Sequence, residues 1–165
     1  MDTETEMTAS KKPPLPDKTQ DFNDADIESA RRLLRLEADG IAALAESVER
    51  SFSAAVQTLH AVTGRVIVSG MGKSGHIGRK IAATLASTGT PSHYVHPGEA
   101  SHGDLGMVMR EDAVLALSNS GETPELRDIA EYTRRFSIPL IVITSGAGST
   151  LTELADVVLL LPAIP

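Results

Sequence analysis

The fold of this chain is decided by one stretch of sequence, Val66-Ile67-Val68-Ser69-Gly70-Met71-Gly72-Lys73-Ser74-Gly75. A short β-branched run enters a loop of glycine and serine, which is the pattern of a buried strand that leads into a helix. The backbone N–H groups at the start of such a helix bind anions, because they lack partners within the helix. A second stretch repeats the pattern, Leu117-Ser118-Asn119-Ser120-Gly121-Glu122-Thr123. The sequence therefore predicts two anion-binding turns, the first of which carries a lysine.

Short apolar runs alternate with helical patterns after Gly64. Because the runs are rich in β-branched residues and leucine, we expect strands that are covered on both faces. This alternation predicts an α/β fold with a parallel sheet and helices on both faces. Ligands bind beyond the carboxyl ends of such strands, where both Gly/Ser loops fall. The predicted strands are 66–68, 93–95, 113–117, 140–143 and 157–161, and the predicted helices are 77–85, closed by Gly89, 124–135 and 150–154.

A long helix is predicted ahead of the sheet, over Asp24 to Ala61 with a kink at Gly40, because apolar residues recur there at helical spacing. Residues 1–22 mix Thr, Glu, Lys and Pro and offer almost nothing to bury. We therefore expect a disordered tail over 1–22, followed by one folded domain over 23–165.

Two helix starts are predicted from capping residues. Thr123 is expected to cap the helix that begins at Pro124, since proline suits the first helical position. Thr150 and Glu153 have the spacing of a capping box, in which each side chain bonds the backbone N–H of the other residue.

Composition limits the functional classes. The chain has 165 residues, 41% of them hydrophobic, and a formal net charge of −7. An acidic chain without a basic cluster does not suit nucleic-acid binding, and the absence of a twenty-residue apolar run argues against a membrane partner. No cysteine is present, so disulfides and thiolate metal sites are excluded. We expect a soluble, cytoplasmic protein.

The first glycine loop resembles two nucleotide-binding motifs. Gly70 to Gly75 matches G-x-G-x-x-G, but the acid that should bind the ribose is missing, because Tyr94-Val95-His96 ends the second strand and Glu99 comes late. A P-loop would need a glycine where Ile67 stands. The remaining hypothesis is a phosphate monoester bound at helix N-termini.

The second loop offers hydroxyl and amide donors that can surround a phosphate, namely Ser118, Asn119, Ser120 and Thr123. The same residue types form turns and caps without any ligand, so for either loop alone both interpretations stay open. Two such loops at equivalent ends of one sheet favour a binding site.

Lys73 and Glu125 are the charged candidates near these loops. A cation is disfavoured near a helix start for structural reasons, so Lys73 inside a tight glycine turn favours contact with a ligand. Glu125 lies in the first turn of the next helix, where the dipole alone can explain an acid. Its structural and functional interpretations therefore both stay open.

Residues 93–104 hold three histidines and two acids after a short strand. This density suits either a metal site or an acid–base cluster. Because neither a cysteine nor His-x-x-x-His spacing accompanies it, we favour a polar active-site loop, with no metal and no cofactor.

Several motifs together resemble the sugar isomerase (SIS) domain of D-arabinose 5-phosphate isomerases. The resemblance implies a three-layer α-β-α sandwich around a five-stranded parallel sheet, flavodoxin-like in type, after a long N-terminal helix. It is carried by Gly-Met-Gly-Lys-Ser-Gly-His-Ile-Gly-Arg-Lys over 70–80, Ser-Thr-Gly-Thr-Pro over 87–91, His-Pro-Gly-Glu-Ala-Ser-His-Gly-Asp-Leu-Gly-Met over 96–107 and Ser-Asn-Ser-Gly-Glu over 118–122.

The resemblance also implies an activity. Such enzymes interconvert D-ribulose 5-phosphate and D-arabinose 5-phosphate by proton transfer through an enediol, toward the Kdo sugar of lipopolysaccharide. The resemblance further implies a homotetramer that needs no metal. By this resemblance Lys73 is the active-site lysine, Glu125 an acid–base residue and His102 a histidine of the substrate loop. The implied substrate-binding set is Gly72, Ser74, Gly75, His96, Glu99, Ser118, Asn119, Ser120, Gly121 and Thr123.

The family continues beyond this sheet with a further glutamate, a histidine and, in many members, a pair of CBS domains. We therefore expect a C-terminally incomplete SIS domain that binds phosphosugar and isomerises it poorly or not at all. Two alternatives remain, a non-catalytic phosphosugar sensor and an isomerase of another sugar phosphate.

Overall fold

The structure is a computed structural model, and it describes residues 24–163. The tail predicted over 1–22 lies outside these residues, as do Ile164 and Pro165. The chain forms two compact units, one that ends at Ala38 and one that begins at Asp39. The described part of the first unit is the beginning of helix α1, Asp24–Ser47, and the second unit contains every other element.

A five-stranded parallel sheet forms the centre of the second unit, in the order β2-β1-β3-β4-β5. Each pair is in regular register, for example with Val66 beside both Ser92 and Ala113. The five predicted strands are confirmed, with bounds that differ by at most two residues. They are β1 Val66–Gly70, β2 Ser92–Val95, β3 Ala113–Leu117, β4 Leu140–Thr144 and β5 Val157–Leu160.

Helices cover both faces of the sheet, as the alternating pattern predicts. On one face α2 and α3 pack over Val66, Val68 and Leu115. On the other face α4, α5 and α6 pack over side chains that include Ile67 and Val114. The helices are α2 Arg50–Ala61, α3 Gly72–Ser87, α4 Pro97–Ala100, α5 Pro124–Phe136 and α6 Thr150–Leu154. Among residues 24–163, no helix combines the length and the apolarity that crossing a bilayer requires.

The predicted long N-terminal helix is present as α1, but the prediction that it continues to Ala61 with a kink at Gly40 is wrong, because α1 and α2 are separate helices. The chain leaves helical geometry at Val48 and Glu49, and Glu49 is extended, with φ −127° and ψ −157°. The Ser47 hydroxyl donates to the carbonyl of Leu44 at 2.8 Å, a local bond that competes with helix continuation. Gly40 lies within α1 and is buried.

The polar loop expected over 93–104 is partly helical. Its residues form the short helix α4 and then a 3₁₀ helix, Asp104–Met107. Four-residue helices leave no periodic pattern long enough to read from sequence, which explains the difference.

A buried carboxylate at the amino end of the sheet joins this segment to β1. Asp112 is 2% exposed and accepts the backbone N–H of Arg65 at 2.7 Å and that of Met109 at 2.9 Å. The Arg65 guanidinium donates to Asp112 at 3.1 Å and to the Met107 carbonyl at 2.7 Å. Burial acts to raise the pKa of Asp112, but the hydrogen bonds from Met109 and Arg65 outweigh it and lower the pKa.

Candidate functional site

The loop between β1 and α3 carries Lys73 in the first turn of the helix. Gly72 adopts φ +57°, a backbone conformation in which a residue with a side chain would be strained. Gly75 is required for a different reason, since a Cβ there would lie 2.6 Å from the carbonyl oxygen of Gly70 and 2.7 Å from the Tyr94 hydroxyl. The loop therefore favours glycine at position 72 for its backbone conformation and at position 75 for lack of space, and it presents an exposed Lys73 at a helix N-terminus.

Tyr94 anchors this loop from the neighbouring strand β2. Its hydroxyl donates to the carbonyl of Gly70 at 2.6 Å. Burial raises its pKa, partly offset by the positive charge of Arg79, whose guanidinium lies 4.0 Å from the ring centroid. Tyr94 therefore stays neutral at physiological pH and keeps donating this hydrogen bond.

The loop between β3 and α5 is closed by its own side chains. Ser118 is 3% exposed, and its hydroxyl oxygen accepts the N–H of Gly121 at 3.0 Å. The same oxygen lies 2.8 Å from the hydroxyl oxygen of Thr123. Thr123 is the N-cap residue of α5, as predicted, but its side chain makes no capping bond because it is engaged with Ser118. Ser118 and Thr123 thus shape the loop from within.

Hydrogen bonds also attach this loop to the one that follows β4. The carbonyl of Asn119 accepts the N–H of Ser145 at 3.0 Å, and the carbonyl of Gly121 accepts the N–H of Leu151 at 3.1 Å. A Cβ at Gly146 would overlap the carbonyl of Ser120. The two loops therefore form one layer at the carboxyl edge of the sheet.

A side-chain contact that the sequence did not reveal completes this layer. The carboxylate of Glu122 accepts the N–H of Thr150 at 2.8 Å and its hydroxyl at 2.7 Å. These two bonds lower the pKa of Glu122. The predicted Thr150–Glu153 capping box is wrong, since the N-cap of α6 is Ser149 and Glu122 from the other loop takes the capping role. A contact between residues 28 positions apart leaves no local sequence signal.

One cavity of about 350 Å³ brings residues of the two loops together. Lys73 and Ser74 come from the first loop, and Ser118 and Asn119 from the second. Its other walls are apolar, formed by Ile77, Ile81, Leu117, Ile143 and Leu161. The cavity thus combines one cation and several polar groups with an apolar surface, which is the composition expected of a small-molecule site.

A smaller cavity of about 140 Å³ lies beside the Glu122–Thr150 contact. Gly121 and Thr123 from the predicted set line it, together with Arg127. Ser120 is exposed, and its hydroxyl accepts the N–H of Glu122 at 3.2 Å.

Most of the predicted residues do not line the larger cavity, and the charged and histidine side chains among them are Glu125, His96, Glu99 and His102. Glu125 is half-buried in the first turn of α5. Glu99 and His102 are exposed near α4. The Nδ1 atom of His96 is buried without a hydrogen-bond partner, which is the state of an atom that a ligand or water would satisfy. Within residues 24–163, no three His, Asp or Glu side chains are grouped as a metal site would require.

The geometry favours a bound anion. Helices α3 and α5 begin beyond the neighbouring strands β1 and β3, so their N-terminal dipoles meet at the edge where the sheet changes its direction of growth. Lys73 adds a full positive charge at this edge. A phosphate with its three oxygens fits this combination of N–H groups, hydroxyls and a cation.

Comparison with known proteins gives a consistent result. The sequence profile of the SIS domain matches residues 59–165. The arabinose 5-phosphate isomerase KdsD of Pseudomonas aeruginosa is 52% identical over 131 residues, which are 79% of this chain and 40% of that protein. The chain thus spans about 40% of the length of the curated relatives it matches.

Two solved structures show the same architecture. An E. coli CFT073 protein in complex with arabinose 5-phosphate is 36% identical, with a TM-score of 0.74, and the match covers 86% of this chain and 76% of that one. A candidate phosphosugar isomerase involved in capsule formation in Bacteroides fragilis NCTC 9343 is 38% identical, with a TM-score of 0.76 and coverage of 81% and 72%.

Proposed function

Because the chain belongs to the SIS domain family, we propose that it is the phosphosugar-binding domain of an aldose–ketose isomerase that interconverts D-ribulose 5-phosphate and D-arabinose 5-phosphate. The observation that carries the proposal is the cavity shared by Lys73, Ser74, Ser118 and Asn119. The names of the curated relatives support the choice of sugar, as does the arabinose 5-phosphate bound to the E. coli CFT073 protein.

The phosphate group of the substrate binds where the two glycine loops meet. Backbone N–H groups at the starts of α3 and α5 and the hydroxyls of Ser74 and Ser120 donate to its oxygens. Gly72, Gly75 and Gly121 let the backbone approach closely, and Ser118 and Thr123 hold the second loop in shape. Asn119, His96 and Glu99 bind the polar part of the sugar.

The reaction moves a proton between C1 and C2 of the sugar. A base removes a proton from C1 of ribulose 5-phosphate to form the enediolate, an acid returns a proton to C2, and a proton passes from the C1 oxygen to the C2 oxygen, so the sugar is isomerised without an oxidant or a reductant. Glu125 acts as the acid–base residue, and Lys73 stabilises the negative oxygen of the enediolate by its charge. His102 binds the sugar hydroxyls during this transfer.

We also place the protein in carbohydrate metabolism, in the route toward Kdo and lipopolysaccharide, and in the cytoplasm as a homotetramer. Apolar side chains exposed on the second unit support an oligomer, since Val48 is 51% exposed and Phe52 48%. Both line an apolar groove of about 200 Å³ with Leu159 and Leu160.

A binding-only role is the second candidate. The larger cavity is lined by Lys73 and by Ser118 and Asn119 of the loop between β3 and α5. Glu125 and His102 are not part of its lining. A phosphosugar sensor would need only the residues that the cavity has.

Proton NMR distinguishes the candidates. The 165-residue chain is incubated with D-ribulose 5-phosphate in D₂O, and arabinose 5-phosphate formation and deuterium incorporation at the reacting carbons are followed. An isomerase incorporates deuterium and forms the aldose, even if slowly, whereas a sensor binds the sugar without either change. A panel of tetrose, hexose and heptose phosphates tests whether another sugar is preferred.

A further inference from the structure

Glu122 is an acid inside the loop that we assign to the phosphate, where a free carboxylate would repel the ligand. Its two oxygens are instead engaged by Thr150, with the N–H at 2.8 Å and the hydroxyl at 2.7 Å. Bonds from N–H and O–H donors to an ionised carboxylate are stronger than neutral ones. The position of this acid therefore calls for a role other than contact with the ligand.

The contact is one of a series that joins two loops. Asn119 and Gly121 are attached through their carbonyls to Ser145 and Leu151. Glu122 adds the attachment that lies closest in sequence to α5, whose N-terminus faces the predicted phosphate site. Without it, the end of the loop that contains the α5 N-cap would lose its side-chain connection to α6.

We propose that Glu122 is a positioning residue for the sugar phosphate. By holding Thr150 it fixes the backbone of 118–123, so that the donors of the loop already stand in their binding geometry before the ligand arrives. This inference rests on the proposed function, because it assumes that this loop binds the phosphate group. Glu122 itself does not contact the ligand.

Because Glu122 is charged, the two explanations predict opposite changes in the affinity for the sugar phosphate. If only electrostatics mattered, removing a negative charge beside a phosphate site would tighten binding. If positioning matters, Glu122→Ala loosens the loop and weakens binding of arabinose 5-phosphate by about tenfold. Glu122→Gln keeps an acceptor for the Thr150 N–H and gains an NH₂ that can donate to the hydroxyl. It should bind as tightly as the wild type or more tightly.

The affinity of the 165-residue chain for arabinose 5-phosphate is measured by titration calorimetry, and the melting temperature of each variant is recorded. Glu153→Ala is the matched control, because it removes the same charge from an exposed position on α6. It should leave the affinity unchanged. Thr150→Val removes only the hydroxyl bond, so it should weaken binding less than Glu122→Ala does.

A double-mutant cycle decides whether Glu122 acts through Thr150. The loss of affinity from Glu122→Ala should be smaller in the Thr150→Val background, because part of the contact is already gone. Additive losses, an unchanged affinity of Glu122→Ala, or a loss in Glu122→Gln as large as in Glu122→Ala would each overturn the inference. If Glu122→Ala does not fold, the Gln and Thr150→Val variants decide it. If the wild type itself does not bind arabinose 5-phosphate, the proposed function has failed instead.

Discussion

The hydroxyl oxygens of Ser118 and Thr123 lie 2.8 Å apart and close the loop that leads from β3 into α5. Because Ser118 also accepts the N–H of Gly121, one buried oxygen serves two partners from the same loop. The shape of the candidate phosphate site thus depends on a side chain that has almost no contact with solvent.

Replacing Ser118 by alanine should destabilise the protein. The variant leaves the N–H of Gly121 buried without its acceptor, which costs about 1–3 kcal/mol of unfolding free energy. Urea denaturation measures this loss. Ser120→Ala is the control, because Ser120 is exposed, and it should change the unfolding free energy by less than about 0.5 kcal/mol. Equal stability of the two variants would contradict the role of Ser118.

Two glycines of the first loop should respond differently to alanine. Gly75→Ala places a Cβ 2.6 Å from the Gly70 carbonyl oxygen, so we expect a loss of about 3 kcal/mol from overpacking. The Cβ of Gly72→Ala would have no atom within 4 Å, so this variant strains only its own backbone, at φ +57°. We expect it to lose about 1 kcal/mol of unfolding free energy. Thermal unfolding of both variants ranks them. The reverse order would mean that the loop can shift away from Tyr94.

Lys73→Ala should weaken binding of arabinose 5-phosphate by about tenfold, because a charge-assisted bond to the phosphate or sugar is lost. Lys80→Ala removes the same charge from an exposed position on the same helix and should leave the affinity nearly unchanged. Titration calorimetry compares the two. Similar affinities would show that the contribution of Lys73 is only that of net charge.

The stability of the protein should depend on the ionisation of Asp112. Its pKa in the folded state is below the unfolded value of about 3.9, so its stabilisation is complete above that value and is lost as the pH falls through the lower, folded pKa. At neutral pH Asp112→Asn should cost about 3 kcal/mol, because it leaves the Met109 N–H and Arg65 with a weaker partner. The difference in unfolding free energy between the variant and the wild type should become smaller below about pH 4.

Urea denaturation at several pH values checks this dependence on Asp112. Asp128→Asn, at an exposed position on α5, is the control and should change the unfolding free energy by less than about 0.5 kcal/mol. If the difference in unfolding free energy between wild type and Asp112→Asn stays constant down to about pH 2, ionisation of the Asp112 carboxylate is not the source of that difference.

The sheet could be predicted because its signals are local. Each strand is a short apolar run, and the residues that follow β1 and β3 are glycine and serine, so the two loops could be assigned to one edge from the sequence alone. The break at Val48 could not be predicted, because neither proline nor glycine marks it. A serine hydroxyl bonds the backbone just before this break.

The candidate site could be predicted from the sequence only in part, because some of its contacts join distant segments of the chain. Lys73 and Ser118 belong to glycine-rich motifs whose chemistry is visible in sequence, and they do line one cavity. The contacts of Glu122 with Thr150 and of Tyr94 with Gly70 join distant segments, so spacing along the chain gives no sign of them. The catalytic roles of Glu125 and His102 stay predictions.

The helices that follow the two loops of the site pack in separate hydrophobic cores. Lys73 is carried by α3, which packs on the sheet face that includes Leu115, while the loop between β3 and α5 leads into α5 on the opposite face. A change of side-chain volume in one core acts first on the helix that packs in that core, because close-packed interiors transmit strain. The spacing between cation and hydroxyls can therefore be adjusted from the interior of the protein, by substitutions at positions that no ligand touches, and this gives natural selection or a protein engineer a route to sugars of different length.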